Sequence, residues 1–244
     1  MQVRPDVLFS VANFPVTNAV AATIISDVVV VLFVLAINRV VSLEPTPLQN
    51  AVEMVIDYFI KITEEIAGER ASFICPWVLS FFIFMLISNL IAQLPGFELI
   101  ILKMPMSKSC NKVPLLRAAS TDLNFTLALA VISVVVTHYL SIKCAGIKAY
   151  FTRFITFRIF PVFLFVGILE FLNEITKIIS FSFRLFGNIL SGERIMATMY
   201  GIFPLGLPLP FMLLEFLVAI IQAMIFAMLT LVFMHIMTDK PHTI

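Results

Sequence analysis

The sequence contains five apolar stretches, each long enough to cross a lipid bilayer as a helix. A helix needs about 20 apolar residues to span ~30 Å of hydrocarbon. The stretches cover residues 19–37, 77–94, 123–142, 159–198 and 211–237. Hydrophobic residues make up 61% of the 244 positions and charged residues only 13%, which is about half the charged share of a soluble domain. We therefore predict an all-α integral membrane protein, with residues 1–244 as one membrane domain that begins with an N-terminal segment, 1–18.

The two C-terminal stretches, 159–198 and 211–237, exceed the length that a membrane requires. Over-long apolar helices tilt or kink to fit the bilayer, and a breaker-rich sequence, PLGLPLP, separates these two. We predict two long, tilted, antiparallel helices here.

Two local signals mark the start of earlier spans. Pro76 suits the first turn of the second span, and Asp122 is an N-cap candidate for the third.

Residues 48–66 predict a different kind of helix. Apolar side chains recur at helical spacing, at Leu48, Val52, Val55, Ile56, Phe59, Ile62 and Ile66. The charged residues of this segment fall elsewhere on the helix. This pattern predicts an amphipathic helix at the membrane surface. A small extramembrane helix packed against a loop is the alternative.

Several functional classes find no support in the sequence. The three cysteines, Cys75, Cys110 and Cys144, lie far apart, so neither a disulfide framework nor a zinc site is indicated. No basic run points to nucleic acid. No glycine-rich phosphate loop or hydrolase motif points to an active site of its own. We expect no metal and no cofactor.

The distribution of Lys and Arg predicts the orientation of the chain. Positive residues favour the inside of the membrane, and Lys143, Lys148, Arg153 and Arg158 cluster in one connection. This excess of positive residues places the N-terminus outside and the C-terminus inside, although the lysine-containing loop 97–121 opposes that orientation.

The first apolar stretch lacks the features of a cleaved signal peptide, so we expect it to be retained as a span.

Ionisable residues concentrate in the two C-terminal stretches, where each costs roughly 2.5–3.5 kcal/mol to insert. Arg184 differs from the others, because arginine keeps its proton in a protein and its own helix offers no carboxylate within one turn. Structural explanations, in which a side chain is paired nearby or hydrated, suit other ionisable residues of the spans: Lys177 with Glu174 or Asn173, Glu193 with Arg194, Asp27, His138 and His235.

An antiparallel arrangement of the last two helices would align their polar residues in two layers. Setting Gln222 level with Arg184 brings Glu215 near the level of Glu193. Asn188 lies one turn from Arg184 on the same stripe. The same helix has a strip of small residues that lets another helix approach closely, formed by Gly187, Ser191 and Gly192.

These residues belong to a recognisable motif. The segment SFRLFGNILSGE closely resembles the signature of the a-subunit family of F-type ATP synthases, which carries ions past a rotating ring of c subunits. Four further segments resemble the family in the family's order: LQNAVEMVIDYF, SNLIAQLPG, STDLNFTLALAV and IIQAMIFAMLT. The resemblance covers nearly the whole chain, and the motif around Arg184 is its most specific part.

The resemblance implies roles for residues at matched positions. Arg184 matches the arginine regarded as essential in the family. Asn188 and Gln222 match polar residues that line the rotor interface. The remaining matches are polar residues of the ion path: Glu193 with Glu215 in one aqueous half-channel, Glu170 on the same long helix, and Asn89, Asp122 and Asn124 near the opposite opening. One departure is Ala92, which stands where bacterial members often carry an acid.

The resemblance also implies partners and a function. The partners would be the c-ring with its membrane-embedded carboxylates, the b subunits of the peripheral stalk and the rest of the ATP synthase complex, in a bacterial plasma membrane or an organelle inner membrane. The implied function is translocation of an ion, expected to be a proton, through two offset half-channels at the c-ring interface, coupled to ATP synthesis or hydrolysis. Arg184 would discharge the ring carboxylate and block direct leak. A stand-alone ion channel or secondary transporter is the alternative, but the sequence shows no internal repeat.

Overall fold

A computed structural model describes residues 7–11, 14–41, 46–93, 101–102, 113–114, 118–147, 150, 162–203, 206 and 208–239. This described part contains six long helices: α1 Asn18–Val40, α2 Pro47–Ala67, α3 Ala71–Ala92, α4 Leu123–Ala145, α5 Val162–Ile202 and α6 Pro208–Thr238. The all-α prediction is confirmed.

Two short antiparallel ribbons accompany the helices. Strand β1, Val7–Val11, pairs with β2, Phe14–Thr17, and strand β3, Ile101–Leu102, pairs with β4, Val113–Pro114. The first ribbon leads directly into α1. There the Thr17 hydroxyl accepts a hydrogen bond from the Val20 backbone N–H at 3.4 Å, so a side-chain cap satisfies one of the free donors of the helix start.

Four helical segments are long and apolar enough to cross a membrane by length and composition: Asn18–Arg39, Pro47–Ala92, Leu123–Ala145 and Pro208–Thr238. The predicted count of five spans is not confirmed, because α5 is not among them. The 41 residues of α5 make a helix of about 60 Å. Its apolar runs are interrupted by ionisable residues: Glu170, Glu174, Lys177, Arg184, Glu193 and Arg194.

The second predicted span starts earlier than the sequence indicated. We placed its start at residue 77 with Pro76 in the first turn, but α3 begins at Ala71 and contains Pro76 in its interior. A 3₁₀ turn, Gly68–Arg70, connects α2 to α3 so closely that helical structure is almost continuous. Gly68 has a φ of +55°, a conformation that favours glycine. The turn therefore comes at Gly68 and not at the proline.

The helix predicted over residues 48–66 is present as α2. One face of α2 is buried, and its buried residues are Gln49, Phe59, Thr63 and Ala67. The Phe59 ring lies 4.6 Å from the ring of Phe82 in α3, measured between ring centroids. The acidic residues of α2 are exposed. The location of this helix at the membrane surface stays a prediction.

The chain divides into two compact units, and the first comprises Met1–Val41, Ile83–Thr126 and Arg184–Ala223. Small and aromatic residues pack its helices together. Ala22 of α1 is buried with Ala119 of the 3₁₀ turn Ala119–Thr121, and Phe125 of α4 packs against this pair. The rings of Phe84 in α3 and Phe125 lie 6.1 Å apart. These contacts hold the start of α4 between α1 and the end of α3.

The second unit comprises Ser42–Phe82, Leu127–Phe183 and Met224–Ile244. Aromatic rings fill much of its core. The Phe226 ring of α6 lies 5.1 Å from Phe181 of α5 and 5.9 Å from Phe81 of α3. Between α4 and α6, the hydroxyls of Ser133 and Thr230 form a buried hydrogen bond of 3.1 Å. The core of this unit is thus mainly apolar and carries a few fully paired polar groups.

Candidate functional site

In the first unit, the C-terminal part of α5 runs antiparallel to the N-terminal part of α6. The amide of Asn188 donates to Oε1 of Gln222 at 2.7 Å. Further along α5, the Tyr200 hydroxyl donates to the Met212 sulfur at 3.9 Å. Residue numbers rise on α5 as they fall on α6, which confirms the antiparallel prediction.

The register of this helix pair differs from the predicted one by one turn. We set Gln222 level with Arg184, whereas the structure pairs Gln222 with Asn188. The exposed fraction of Gln222 is only 3%, so its amide needs a partner inside the protein, and Asn188 supplies it. The second predicted layer is present, because Glu215 lies against Gly192, the residue before Glu193.

Arg184 begins the α5 segment of the first unit and is partly exposed. Within the part of the chain that the structure describes, its guanidinium makes no ion pair and no hydrogen bond to another residue. A permanent cation on an apolar helix without a counter-charge is unfavourable in a membrane. Among the described residues, no group therefore compensates this positive charge.

The Glu215 carboxylate is half-buried against the backbone of α5. A Cβ atom on Gly192 would lie 2.5 Å from Oε1 of Glu215, closer than any real side chain tolerates. A side chain at position 192 would therefore displace the Glu215 carboxylate. Oε1 of Glu215 is buried without a hydrogen-bond partner among the described residues. Glu193 interacts electrostatically with Glu215, so two acidic side chains lie close to each other at this point.

Gln93 is a site residue that the sequence analysis missed. It directly follows α3, and its Nε2 donates to the backbone carbonyl of Glu215 at 2.7 Å. Its own Oε1 is buried and has no partner among the described residues. Gln93 lies about one turn beyond Asn89, within the quoted segment SNLIAQLPG. This spacing could have indicated Gln93, because it places the amides of Asn89 and Gln93 on the same face at the end of α3.

The three polar residues predicted near the opposite opening lie around the start of α4. Oδ1 of Asn89 accepts a hydrogen bond from the Ser120 hydroxyl at 3.0 Å. Oδ1 of Asp122 accepts one from the Asn124 backbone N–H at 2.9 Å, which confirms Asp122 as the N-cap of α4. The Asn124 side chain is exposed. Glu170 lies in α5, but its side chain is outside the described residues.

Several buried polar atoms of the first unit lack a hydrogen-bond partner among the described residues. They are Nδ2 and Oδ1 of Asn18, Oγ of Ser88, Nδ2 of Asn89, Oε1 of Gln93 and Oε1 of Glu215. Leaving a buried donor or acceptor unpaired costs about 1–3 kcal/mol. A natural structure keeps few such groups. These atoms are concentrated in the first unit, where the described residues do not complete the hydrogen bonding.

The second unit contains a different polar cluster, which we call the α4–α5 clamp: Glu174, Lys177, His138 and Tyr150. One carboxylate oxygen of Glu174 lies 2.7 Å from Nζ of Lys177, and the other lies 3.5 Å from Nε2 of His138. Nδ1 of His138 lies 3.2 Å from the Tyr150 hydroxyl. The Lys177 ammonium also stacks 4.6 Å above the Phe233 ring.

The clamp agrees with two structural expectations. Lys177 pairs with Glu174, one of the two partners that spacing predicted. His138 was expected to be satisfied or solvated, and it is satisfied by Tyr150 and by Glu174 of another helix. Spacing along α4 alone does not show such a partner. No set of three or more His, Cys, Asp or Glu residues within the described ranges could hold a metal ion.

These observations define an integral membrane protein. Its long C-terminal helices carry Arg184, which has no partner among the described residues, the paired amides of Asn188 and Gln222, and the closely spaced carboxyl groups of Glu193 and Glu215. Comparison with known proteins gives the family. The family described as ATP synthase A chain matches residues 20–235. The chain therefore belongs to the ATP synthase A chain family.

Individual relatives agree with this assignment. The chain is 30% identical over 231 residues to ATP synthase subunit a of Moorella thermoacetica, covering 95% of each protein. It is 30% identical over 227 residues to ATP synthase subunit a 1 of Pelobacter propionicus, covering 92% of this chain and 89% of the relative. The protein from Geobacter sulfurreducens, also named ATP synthase subunit a, is 29% identical over 227 residues, with the same coverage.

Proposed function

We propose that this chain carries ions, expected to be protons, across the membrane at its interface with a rotating c-ring, and that an ATP synthase complex couples this flow to ATP synthesis or hydrolysis. Family membership supports the assignment to the complex. The chain itself would have no active site. Its further partners would be the b subunits of the peripheral stalk, and its N-terminus would lie outside and its C-terminus inside.

The unpaired guanidinium of Arg184 is the observation that carries this proposal. Every described ion pair of the chain involves other residues. A buried or membrane-embedded charge is retained only when something compensates it. A ring of moving carboxylates would provide that compensation, one carboxylate at a time.

Arg184 would act as an electrostatic switch. A neutral carboxyl group can face lipid, whereas an ionised one is strongly penalised there. A fixed guanidinium stabilises the ionised form of a passing carboxylate, so the ring site releases its ion beside Arg184. The same positive charge repels ions that would pass directly between the half-channels. Arginine suits this role because it does not deprotonate when buried.

The other site residues would line the path to the ring. We propose that Asn188 and Gln222 face the rotor interface and that Glu193 and Glu215 belong to one half-channel. Asn89 was expected at the opposite opening. Because Gln93, one turn from Asn89, contacts Glu215, we now assign Asn89 to the half-channel of Glu215, together with Asp122 and Asn124. Glu170 remains a candidate residue of the ion path, on the same long helix as Arg184.

Replacing Arg184 tests the proposal. In membrane vesicles containing the assembled complex, Arg184→Ala is expected to abolish ATP synthesis driven by an ion gradient while the subunit still assembles. Arg39→Ala is the matched control, since Arg39 is an exposed cation in the last turn of α1, and it is expected to retain synthesis. Gradient-driven synthesis by Arg184→Ala at the control rate would contradict the proposal.

The alternative, a stand-alone channel or transporter, predicts a different result. The purified chain would be reconstituted into vesicles without any ring subunit, and ion flux would be followed with a pH-sensitive dye. We expect flux no higher than that of empty vesicles. Sustained flux without the ring would favour the alternative.

A further inference from the structure

Asp27 is an ionisable residue near the middle of α1 that the proposed ion path does not use. The apolar part of α1, Asn18–Arg39, has 22 residues, which make a helix of about 33 Å. Asp27 lies about 14 Å from the Asn18 end and about 18 Å from the Arg39 end. An aspartate side chain has a single methylene group, so its carboxyl group cannot extend to the membrane surface as lysine and arginine side chains do. We therefore expect this carboxyl group near the middle of the bilayer.

The described part of the chain gives Asp27 no counter-charge. Its side chain is exposed, and none of the described ion pairs includes it. Its own helix contains no Lys, Arg or His from residue 18 to residue 38. The hydroxyl of Thr23, one turn away, donates to the backbone carbonyl of Ala19 at 2.9 Å. Acidic residues within membrane helices rarely face lipid and are usually paired, so Asp27 requires a partner beyond these residues.

Asp27 belongs to a continuous exposed surface of α1. We call this surface the Asp27 stripe, and it consists of Val20, Ile24, Asp27, Val31, Val34 and Asn38, all of which are exposed. At about 100° per residue, each member lies within about 60° of Asp27 around the helix. The buried residues of α1 lie on other sides of the helix and in its first half: Asn18, Ala19, Ala22 and Ser26. The described remainder of the chain therefore leaves the stripe uncovered.

A membrane-spanning helix with a basic side chain suits this stripe. Lipid tails offer no charge and no hydrogen-bond donor to a carboxylate at this depth. A lysine or arginine within a membrane helix is itself unfavourable without an acid, so pairing with Asp27 compensates both charges. The apolar members of the stripe are all β-branched. Such side chains have few rotamers in a helix, so they lose little freedom when another helix packs on them.

We propose that the Asp27 stripe binds a membrane-spanning helix of another subunit, and that Asp27 forms an ion pair with a lysine or arginine of that helix. This proposal rests on the proposed function in one respect: the partner belongs to the same ATP synthase complex. Asp27 would hold the partner in place and would take no part in moving ions.

Asp27→Leu tests the ion pair with a change that favours insertion into lipid. The complex would be purified in mild detergent, and the amount of each other subunit per copy of this chain would be measured by quantitative mass spectrometry. We expect one membrane subunit to fall by about threefold, as for the loss of a polar contact between membrane helices. Retention of every subunit at the normal amount would overturn the proposal, because Asp27 would then face lipid in its neutral form.

Thr23→Val is the matched control for this change. It removes a polar group one turn from Asp27, but the Thr23 hydroxyl is already bonded to the backbone of its own helix. We expect Thr23→Val to retain all subunits. Equal loss of a subunit in Thr23→Val and Asp27→Leu would contradict a specific role of the carboxyl group.

Photo-cross-linking identifies the molecule that covers the stripe. In the assembled complex, Ile24 and Val31, on the stripe, would be replaced one at a time by the photoreactive residue benzoylphenylalanine. Ile25 and Leu32 are the control positions, since they are also exposed but lie about 140–160° from Asp27 around the helix. We expect both stripe positions to cross-link to one other subunit, several-fold more than the controls do. Cross-links from the stripe only to lipid or to this chain would overturn the proposal, as would equal yields from all four positions.

Exchange of the two charges tests the ion pair itself. We expect Asp27→Lys to lose the cross-linked subunit, and a change of the basic residue in its membrane helix to aspartate to restore most of the loss. A partner helix without a basic residue, or no restoration, would contradict the ion pair. None of these measurements uses ion transport. If Arg184→Ala were to retain ATP synthesis while the stripe still cross-linked to one subunit, the proposed function would fail and the binding surface would stand.

Discussion

The two units differ in how completely their buried polar groups are paired. In the second unit, both oxygens of Glu174 have partners, Lys177 and His138. In the first unit, Oε1 of Glu215 has none among the described residues, and the amides of its neighbourhood are likewise incomplete. One described group of the second unit departs from this pattern, since Nδ1 of His235 is buried and unpartnered.

We infer that hydrogen-bond partners decide whether a buried carboxylate serves structure, as we propose for Glu174, or transport, as we propose for Glu215. A fully satisfied polar network rigidifies the helices that contribute to it. An incomplete network can accept water as an additional partner. Glu174 and Glu215 are both glutamates on long apolar helices, so residue type does not distinguish them. The two residues differ in their hydrogen-bond partners.

The largest expected effect comes from breaking the α4–α5 clamp. Glu174→Leu leaves Lys177, whose exposed fraction is 8%, as a buried cation without its carboxylate. Removing one partner of a buried ion pair destabilises a protein by about 3–5 kcal/mol. We expect the subunit to be lost from the detergent-solubilised complex at a clearly lower temperature. The double variant Glu174→Leu/Lys177→Met is expected to restore most of the stability.

Glu215→Gln is the matched variant in the first unit. Its carboxylate oxygen Oε1 has no partner to lose within the described residues, so we expect a stability change below about 1 kcal/mol. Proton flux is expected to slow, with coupling to ATP synthesis retained. If Glu215→Gln destabilised the complex as much as Glu174→Leu does, the contrast between the two units would be wrong.

A smaller effect is expected from filling the space beside Glu215. Gly192→Ala places a Cβ atom 2.5 Å from Oε1, the far end of a flexible side chain, so the carboxylate must move, at a small cost that the higher helix propensity of alanine partly offsets. We expect proton flux to fall several-fold while the complex still assembles. Gly201→Ala is the control, because nothing lies within 4 Å of a Cβ there. Its expected effect is neutral to slightly stabilising, by up to about 1 kcal/mol.

The smallest effect concerns the hydrogen bond between Ser133 and Thr230. Either single change, Ser133→Ala or Thr230→Val, leaves the other hydroxyl unpaired and is expected to cost about 0.5–1.5 kcal/mol. The double change removes both groups and is expected to cost less than the two single changes together. Thermal stability of the four proteins in detergent measures this coupling. A purely additive result would show that the bond does not connect α4 to α6.

Much of the architecture was predictable because it depends on local chemistry. Long apolar runs predict membrane helices wherever they occur, since backbone polar groups must be satisfied internally in lipid. The Lys177–Glu174 pair and the Asp122 cap were also predictable, because both involve residues within one turn of each other. Arg184 could be singled out for the same reason: its own helix offers no nearby acid.

The starts and registers of helices were less predictable. Pro76 indicated the start of a span, yet α3 begins at Ala71, because the tight turn at Gly68 allows the helix to start earlier. The pairing of Asn188 with Gln222 lies one turn from the predicted register. Helical spacing shows which residues share a face, but side-chain packing decides how far one helix slides along another.

The sequence by itself determined that this chain is a membrane protein and where most of its helices lie. It also determined that Arg184 places a permanent charge on an apolar stretch without an acid within one turn. These properties depend on hydropathy and on neighbours within one turn. Only the tertiary structure decided that His138 contacts Glu174, that Gln93 donates to the Glu215 backbone, and which buried polar atoms have no partner within the described ranges. Those outcomes depend on distances between helices far apart in the chain, and no local pattern encodes them.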